Sequence, residues 1–133
     1  MITRCYLEIT NHCNLDCLFC PKTERAKHRL SLNEFELLTD KLIGKVEFLY
    51  FHLMGEPFLH PLLPQFIQIA RQKNFIPVLT TNGTLLSKAQ GVIEARPHKI
   101  QISLHSHEGN TKEHPEEYIH QVMTFAQEAA SQG

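Results

Sequence analysis

Three of the four cysteines stand in one short run, Cys13-Asn14-Leu15-Asp16-Cys17-Leu18-Phe19-Cys20, close enough for their thiolates to reach one metal centre. Three is an odd set for a closed site. A structural zinc takes four protein ligands, and an iron-sulfur cluster dedicated to electron transfer takes four cysteines. Three leave one metal corner open to a small molecule, much as catalytic zinc keeps a vacant position. The competing reading of the same residues is a zinc site completed by His12 or His28.

Cys-x3-Cys-x2-Cys after a short apolar strand, with Phe19 just before the third cysteine, resembles the radical S-adenosylmethionine (radical SAM) enzymes. The resemblance implies that Cys13, Cys17 and Cys20 hold a 4Fe-4S cluster. The fourth iron would then bind the amino and carboxylate groups of S-adenosylmethionine, and Phe19 would lie beside its adenine. Met54-Gly55-Glu56-Pro57 is similar to the family's Gly-Gly-Glu-Pro segment, which implies that Gly55 and Glu56 receive the cofactor's amino group. Thr80-Thr81-Asn82-Gly83 is similar to the family's strand-ending Thr-Asn-Gly and assigns Thr80 and Asn82 to the cofactor. Ser103-Leu104-His105 resembles the fourth-strand Ser-Leu segment, whose serine meets the cofactor's methionine part or ribose. The implied chemistry is one-electron cleavage of S-adenosylmethionine to a 5'-deoxyadenosyl radical that takes hydrogen from a substrate. A reductase such as flavodoxin or ferredoxin would supply the electron. A peptide, a protein, a nucleotide or a small metabolite would each satisfy that chemistry as substrate.

These residues need a frame that brings them to one place. Four apolar runs, Arg4 to Thr10, Val46 to His52, Ile76 to Asn82 and Lys99 to Ser106, read as buried parallel strands. Helical patterns lie between them. Ser31-Leu32-Asn33-Glu34 is a capping box, with Leu30 and Phe35 placed as a hydrophobic staple, and it predicts a helix to about Ile43. Leu62, Leu63, Phe66, Ile67 and Ala70 repeat at helical spacing before Asn74. Ser87 with Gln90 forms a second capping-box pattern ahead of a short helix near Glu94. Pro115 opens a last helix whose apolar stripe is Ile119, Val122, Met123, Ala126 and Ala130. Four strand-helix alternations argue for α/β with a parallel sheet and right-handed crossovers, a partial βα barrel of about four units.

In such sheets ligands gather at the carboxyl ends of the strands, and each motif falls at one of those ends. Alternation in strand four predicts Ile100, Ile102 and Leu104 on one face, with Gln101, Ser103 and His105 on the lumen side. The family's barrel usually has six units, so residues 1–133 are expected to form one core domain that lacks its last part. The open edge of strand four could pair with a second copy in an edge-to-edge dimer.

A net charge of -1 gives a nucleic-acid partner no electrostatic support. No run of about eighteen apolar residues suggests a membrane span, and clustered cysteines argue for an intracellular metal motif over a disulfide framework. A cytoplasmic protein is the expectation. Cys5 alternates with Leu7 and Ile9 on the apolar side of strand one and reads as a small buried hydrophobe. Glu8 points either into the lumen or to an internal ion pair. Among the nine histidines, His60, His98, His114 and His120 read as exposed, while His52 and His105 lie near the site rim, where a proton-handling role is open.

Overall fold

The computed structural model describes residues 2–106 and 114–133. Four strands, β1 (Ile2–Tyr6), β2 (Val46–Tyr50), β3 (Ile76–Thr81) and β4 (Lys99–Ile102), pair in parallel in the order β1-β2-β3-β4. Four helices alternate with them: α1 (Leu32–Leu42), α2 (Leu63–Gln72), α3 (Gln90–Ala95) and α4 (Pro115–Ser131). Sequential parallel neighbours joined by helices are the arc of a barrel, the architecture that the alternating apolar pattern predicts.

The strand ends differ from the sequence expectation for one reason each. The first strand leaves the sheet after Tyr6 because Ile9 and Thr10 turn toward the chain at Arg29 and Leu30. Leu30 N donates to Ile9 O at 2.9 Å, and Thr10 pairs antiparallel with Arg29. In β4 the alternation stops at Ile102. Ile100 and Ile102 pack on the core as expected, but Leu104 enters a 3-10 turn, Leu104–Ser106, and is 49% exposed. Ser106 forces that turn by placing its hydroxyl on Ser103 O at 2.6 Å.

The core lies between the sheet and the helices. Leu49 and Phe51 from β2 and the turn behind it, Phe35 from α1, Phe66 and Ile67 from α2 and Leu79 from β3 are fully buried. Burial of each such side chain stabilises by about 1.5–3 kcal/mol. Phe35 stacks on Phe66 with ring centroids 4.2 Å apart and meets Phe51 edge-on at 5.5 Å. The capping box that opens α1 forms in both directions: Glu34 N donates to Ser31 Oγ at 3.2 Å, and Ser31 N to Glu34 Oε2 at 2.7 Å. Lys73 clamps α2 to α1 by donating to Thr39 Oγ1 at 2.8 Å and pairing with Asp40 at 2.6 Å.

Three expectations are corrected. Ser87 caps no helix; Leu86–Lys88 form a 3-10 turn, and α3 starts behind Ala89 without a side-chain cap. The turn buries Leu86 and Ala89, a gain the single Ser87 hydroxyl bond does not match. In α4 the buried residues are Tyr118, Val122 and Phe125, with Ala129 partly buried, whereas Ile119 and Met123 are 43% and 54% exposed. The helix is rotated because the two aromatic rings carry more apolar area than the aliphatic stripe beside them. His60 is not a surface residue. It is 4% exposed in the turn ahead of α2, where Nε2 lies 2.9 Å from Leu30 O and Nδ1 accepts from Leu62 N at 3.1 Å.

Candidate functional site

The cysteine loop leaves β1 and returns beside it, and its base is closed by one side chain. Asn11, 4% exposed, donates from Nδ2 to Ala26 O at 2.9 Å and accepts at Oδ1 from His28 N at 2.8 Å. Lys27 Nζ donates to Asn11 O at 3.1 Å. These bonds hold residues 11 and 26–28 together, so the cysteines ride on a closed loop. Glu8 tightens the same corner: it pairs with Arg25 at 2.8 Å and accepts from Met54 N at 2.8 Å. Of the two roles open to Glu8, the structure shows the ion pair and the backbone bond.

The loop forms one wall of a cavity of about 620 Å3, a size suited to a small ligand. Cys13, Cys17, Cys20 and Phe19 line it, and so do Met54 and Gly55 from the turn after β2. Among the described residues no three His, Cys, Asp or Glu side chains stand together as a ready metal-ligand set, so the thiols share the cavity without converging on one point. Burial pushes the Cys13 thiol above its ordinary value, and a hydrogen bond with the backbone at Leu15 pulls the other way. Three thiols facing one open space fit a cluster that keeps one iron free for a small molecule. The histidines offered as the fourth ligand of a closed zinc site do not complete it: neither His12 nor His28 lines the cavity, and Cys5 packs against the core.

Gly55 is placed by close approach. Its φ is +84°, and a Cβ there would lie 2.5 Å from Thr10 O and 2.7 Å from His12 O. Only glycine lets the turn after β2 press against the start of the cysteine loop, where Glu56 N donates to His12 O at 2.7 Å.

The Glu56 side chain is not among those that line the cavity. Its carboxylate, in a residue 2% exposed, accepts from Thr81 Oγ1 at 2.7 Å, Phe58 N at 3.0 Å and Asn82 N at 2.7 Å. Burial raises its pKa, while these three donors oppose the rise. Asn82 carries the network onward: Ser106 Oγ and Tyr118 Oη donate to its carbonyl at 3.0 and 2.8 Å.

The candidate residues therefore divide in two. Cys13, Cys17, Cys20, Phe19 and Gly55 line the cavity, and Glu56 and Asn82 form the buried network behind it. Thr80 and Ser103 line neither. Thr80 pairs with Gln101 across the β3-β4 ladder, and Ser103 N extends that ladder to Thr81 O at 2.9 Å. Asn11, Thr81 and Tyr118, which motif reading did not single out, hold the site together. A buried asparagine beside a metal loop and a threonine opposite a buried carboxylate were the available signals.

Two histidines border the region. His105 lies against Phe19 with ring centroids 4.7 Å apart. His52 meets Tyr6 and Tyr50 edge-on, burial lowers its pKa, and its Nδ1 has no hydrogen-bond partner among the described residues.

The chain is 32% identical over 109 residues to a GTP 3',8-cyclase of Chlorobaculum tepidum, an alignment that covers 74% of this chain and 31% of that protein. It is 33% identical over 86 residues to a tungsten-containing aldehyde ferredoxin oxidoreductase cofactor-modifying protein of Pyrococcus furiosus, covering 62% of this chain and 24% of the other. The chain thus spans a third or less of either relative. In fold it superposes on Streptococcus suis SuiB bound to S-adenosylmethionine with a TM-score of 0.73 at 16% identity, over 96% of this chain and 32% of that one. BtrN in complex with AdoMet and 2-DOIA gives a TM-score of 0.67 at 22% identity, over 77% and 45%. The family profile described as the radical SAM superfamily matches residues 7–130, nearly the whole chain, and the protein belongs to that superfamily.

Proposed function

We propose that this chain binds a 4Fe-4S cluster through Cys13, Cys17 and Cys20 and holds S-adenosylmethionine in the adjoining cavity for radical generation. The observation that carries the reading is the shared cavity: three thiols, Phe19 and Gly55 surround one space at the carboxyl ends of the strands. A bound cluster supplies the single electron that splits S-adenosylmethionine to methionine and a 5'-deoxyadenosyl radical, which takes a hydrogen atom from a substrate.

The chain's own residues do the remaining work. Asn11 keeps the loop closed at its base, so the three sulfurs stay on one side of the cavity. Gly55 lets the turn after β2 press against the backbone of Thr10 to His12, which brings that turn to the cavity wall. Phe19 presents a half-exposed ring suited to stack on adenine. Lys27 lines the same cavity and favours an anionic group such as a carboxylate, while Lys22 on the same wall is paired with Asp16. Ser103 and Thr80 stand on the neighbouring strand ends, within the reading as contacts of the cofactor's far end. A one-electron donor such as flavodoxin or ferredoxin completes the cycle.

The test is anaerobic iron-sulfur reconstitution, with electron paramagnetic resonance of the dithionite-reduced protein. The expected result is a reduced 4Fe-4S signal that changes when S-adenosylmethionine is added. A colourless zinc protein, or a cluster indifferent to the cofactor, would overturn the reading.

A further inference from the structure

Asn14, between Cys13 and Cys17, has a side chain tied directly to the chain that follows β3. Its Nδ2 donates to Thr84 Oγ1 at 2.8 Å, and its Oδ1 accepts from Asn82 Nδ2 at 3.0 Å. Thr84 closes the circuit by donating from Oγ1 to Asn82 Oδ1 at 2.7 Å, and its N–H donates to the same oxygen at 3.0 Å. Two amides and one hydroxyl thus form a ring in which each side chain gives one hydrogen bond and accepts at least one. Donors and acceptors in such a ring polarise one another, so removing one member weakens the rest.

The far side of the ring is firmly anchored. Asn82 is 8% exposed, its N–H is held by Glu56, and its carbonyl is held by Ser106 and Tyr118. The near side is the cysteine loop, exposed at Cys13, Asn14 and Asp16. Its other contacts act at different points of the loop: Glu56 N holds His12 O at 2.7 Å, and the Cys13 thiol bonds with the backbone at Leu15. The pair of Lys22 with Asp16 at 2.7 Å joins two loop residues with side chains 55% and 84% exposed, and such pairs contribute little. The Asn11 bonds fix the base of the loop, on the opposite flank of Cys13.

We propose that Asn14 is a positioning residue: through the Asn82–Thr84 ring it sets the direction in which Cys13 leaves the loop, and with it the spacing of the three thiolates. The assignment rests on the cluster-binding reading above. It acts before any cluster is bound, because the ring consists of protein groups alone. The bonds of Asn14 lie outside the hydrophobic core, so its loss loosens the loop and leaves the fold in place.

The test compares wild type with Asn14→Ala, Thr84→Val and the double variant. In the metal-free chain, iodoacetamide labelling followed by peptide mass spectrometry gives a separate rate for each cysteine. The expected result is a rise of roughly threefold to tenfold at Cys13 and Cys17 in each single variant, the size that one or two net hydrogen bonds confer. The double variant should show no further rise, because both changes open the same ring. Cys5, on β1 beyond the network, is the internal reference and keeps its rate. In the reconstituted protein, loss of cluster absorbance to a ferrous chelator should quicken by a similar factor. Unchanged rates at Cys13 and Cys17, or a rise at Cys5 in step with them, would overturn the proposal. A wild-type chain that takes up no cluster would sink the cofactor reading, while the alkylation rates would still decide the role of Asn14.

Discussion

The Asn82 main-chain N–H donates to Glu56 Oε2 at 2.7 Å, which latches the turn after β2 to the residue that follows β3. That bond places two of the strand-end motifs in one buried network and explains why a carboxylate is kept out of water here. It accepts three hydrogen bonds, and each donor would otherwise be buried without a partner.

Glu56→Gln should therefore destabilise the fold by about 1–3 kcal/mol, since the amide nitrogen turns a donor toward a donor. Urea unfolding would measure it. The same carboxylate has a pH signature. Its pKa is raised by burial, so the folded chain holds the proton longer than the unfolded one, and stability falls as pH climbs from 4.5 toward the folded value. In the glutamine variant that part of the slope should vanish; a slope that survives intact would place its origin elsewhere.

Gly55→Ala tests the close approach. A positive φ costs an L-residue roughly 1–2 kcal/mol, and the added carbon would overlap Thr10 O and His12 O, which belong to backbone and yield little. A loss of about 2 kcal/mol or more is expected, with the cysteine loop displaced. Gly44 serves as the control. Its φ is +72°, but nothing lies within 4 Å of the point a Cβ would occupy, so alanine there should cost only the conformational part.

How far the sequence foretold this arrangement depends on what each residue answers to. The strands were legible because the runs around Leu49 and Leu79 are apolar and bounded by turns, although only the face that meets the helices is fully buried in β2. The capping box at Ser31 and Glu34 was legible because it is local. The face of α4 was not, because Ile119 and Met123 compete with Tyr118 and Phe125 on one helix, and only packing against the rest of the chain decides between them. Thr81 was hidden for a related reason. Its neighbour Thr80 has the same chemistry, and the side of the strand that meets Glu56 is set by sheet register. The cysteine loop lies between these cases: its ligands are a local pattern, while Asn14 and Asn11 matter through partners 68–70 and 15–17 residues away.

His60 gives the fold an acid-sensitive joint. Leu62 N donates to Nδ1, so Nε2 carries the proton and donates to Leu30 O, which fixes a neutral imidazole. Burial lowers its pKa below the ordinary 6.5, with the positive charge of Arg29 acting in the same direction and the bond to Leu30 against it. The unfolded chain then binds more protons than the folded one as pH falls below 6.5, and stability drops over that interval. His60→Gln should flatten the drop; thermal unfolding between about pH 7.5 and about pH 5 would show it. His52, half-buried with its pKa also lowered, adds a second contribution of the same sign, so His60→Gln should flatten the curve only in part.

Tyr118→Phe isolates the link between α4 and the site. The ring is 2% exposed and Phe refills its volume, so the change removes only the hydroxyl, which donates to Asn82 O at 2.8 Å and hydrogen-bonds with Ser106. Ser106 Oγ remains 3.0 Å from that carbonyl but shares its one proton with Ser103 O at 2.6 Å, so the acceptor stays only partly covered. The expected cost is about 1–2 kcal/mol by urea unfolding, the net worth of one to two buried hydrogen bonds. The second readout is hydrogen exchange at the Asn82 and Gly83 amides. Both are hydrogen-bonded, to Glu56 and to Thr81 Oγ1 at 3.2 Å, and both sit against the Tyr118 ring's hydroxyl end, where a Cβ on Gly83 would lie 2.8 Å from Oη. If α4 braces the strand end through Tyr118, exchange at these two amides should quicken by more than the change in global stability accounts for. Equal acceleration at Leu49 and Leu79 would instead mean that the hydroxyl contributes only to overall stability.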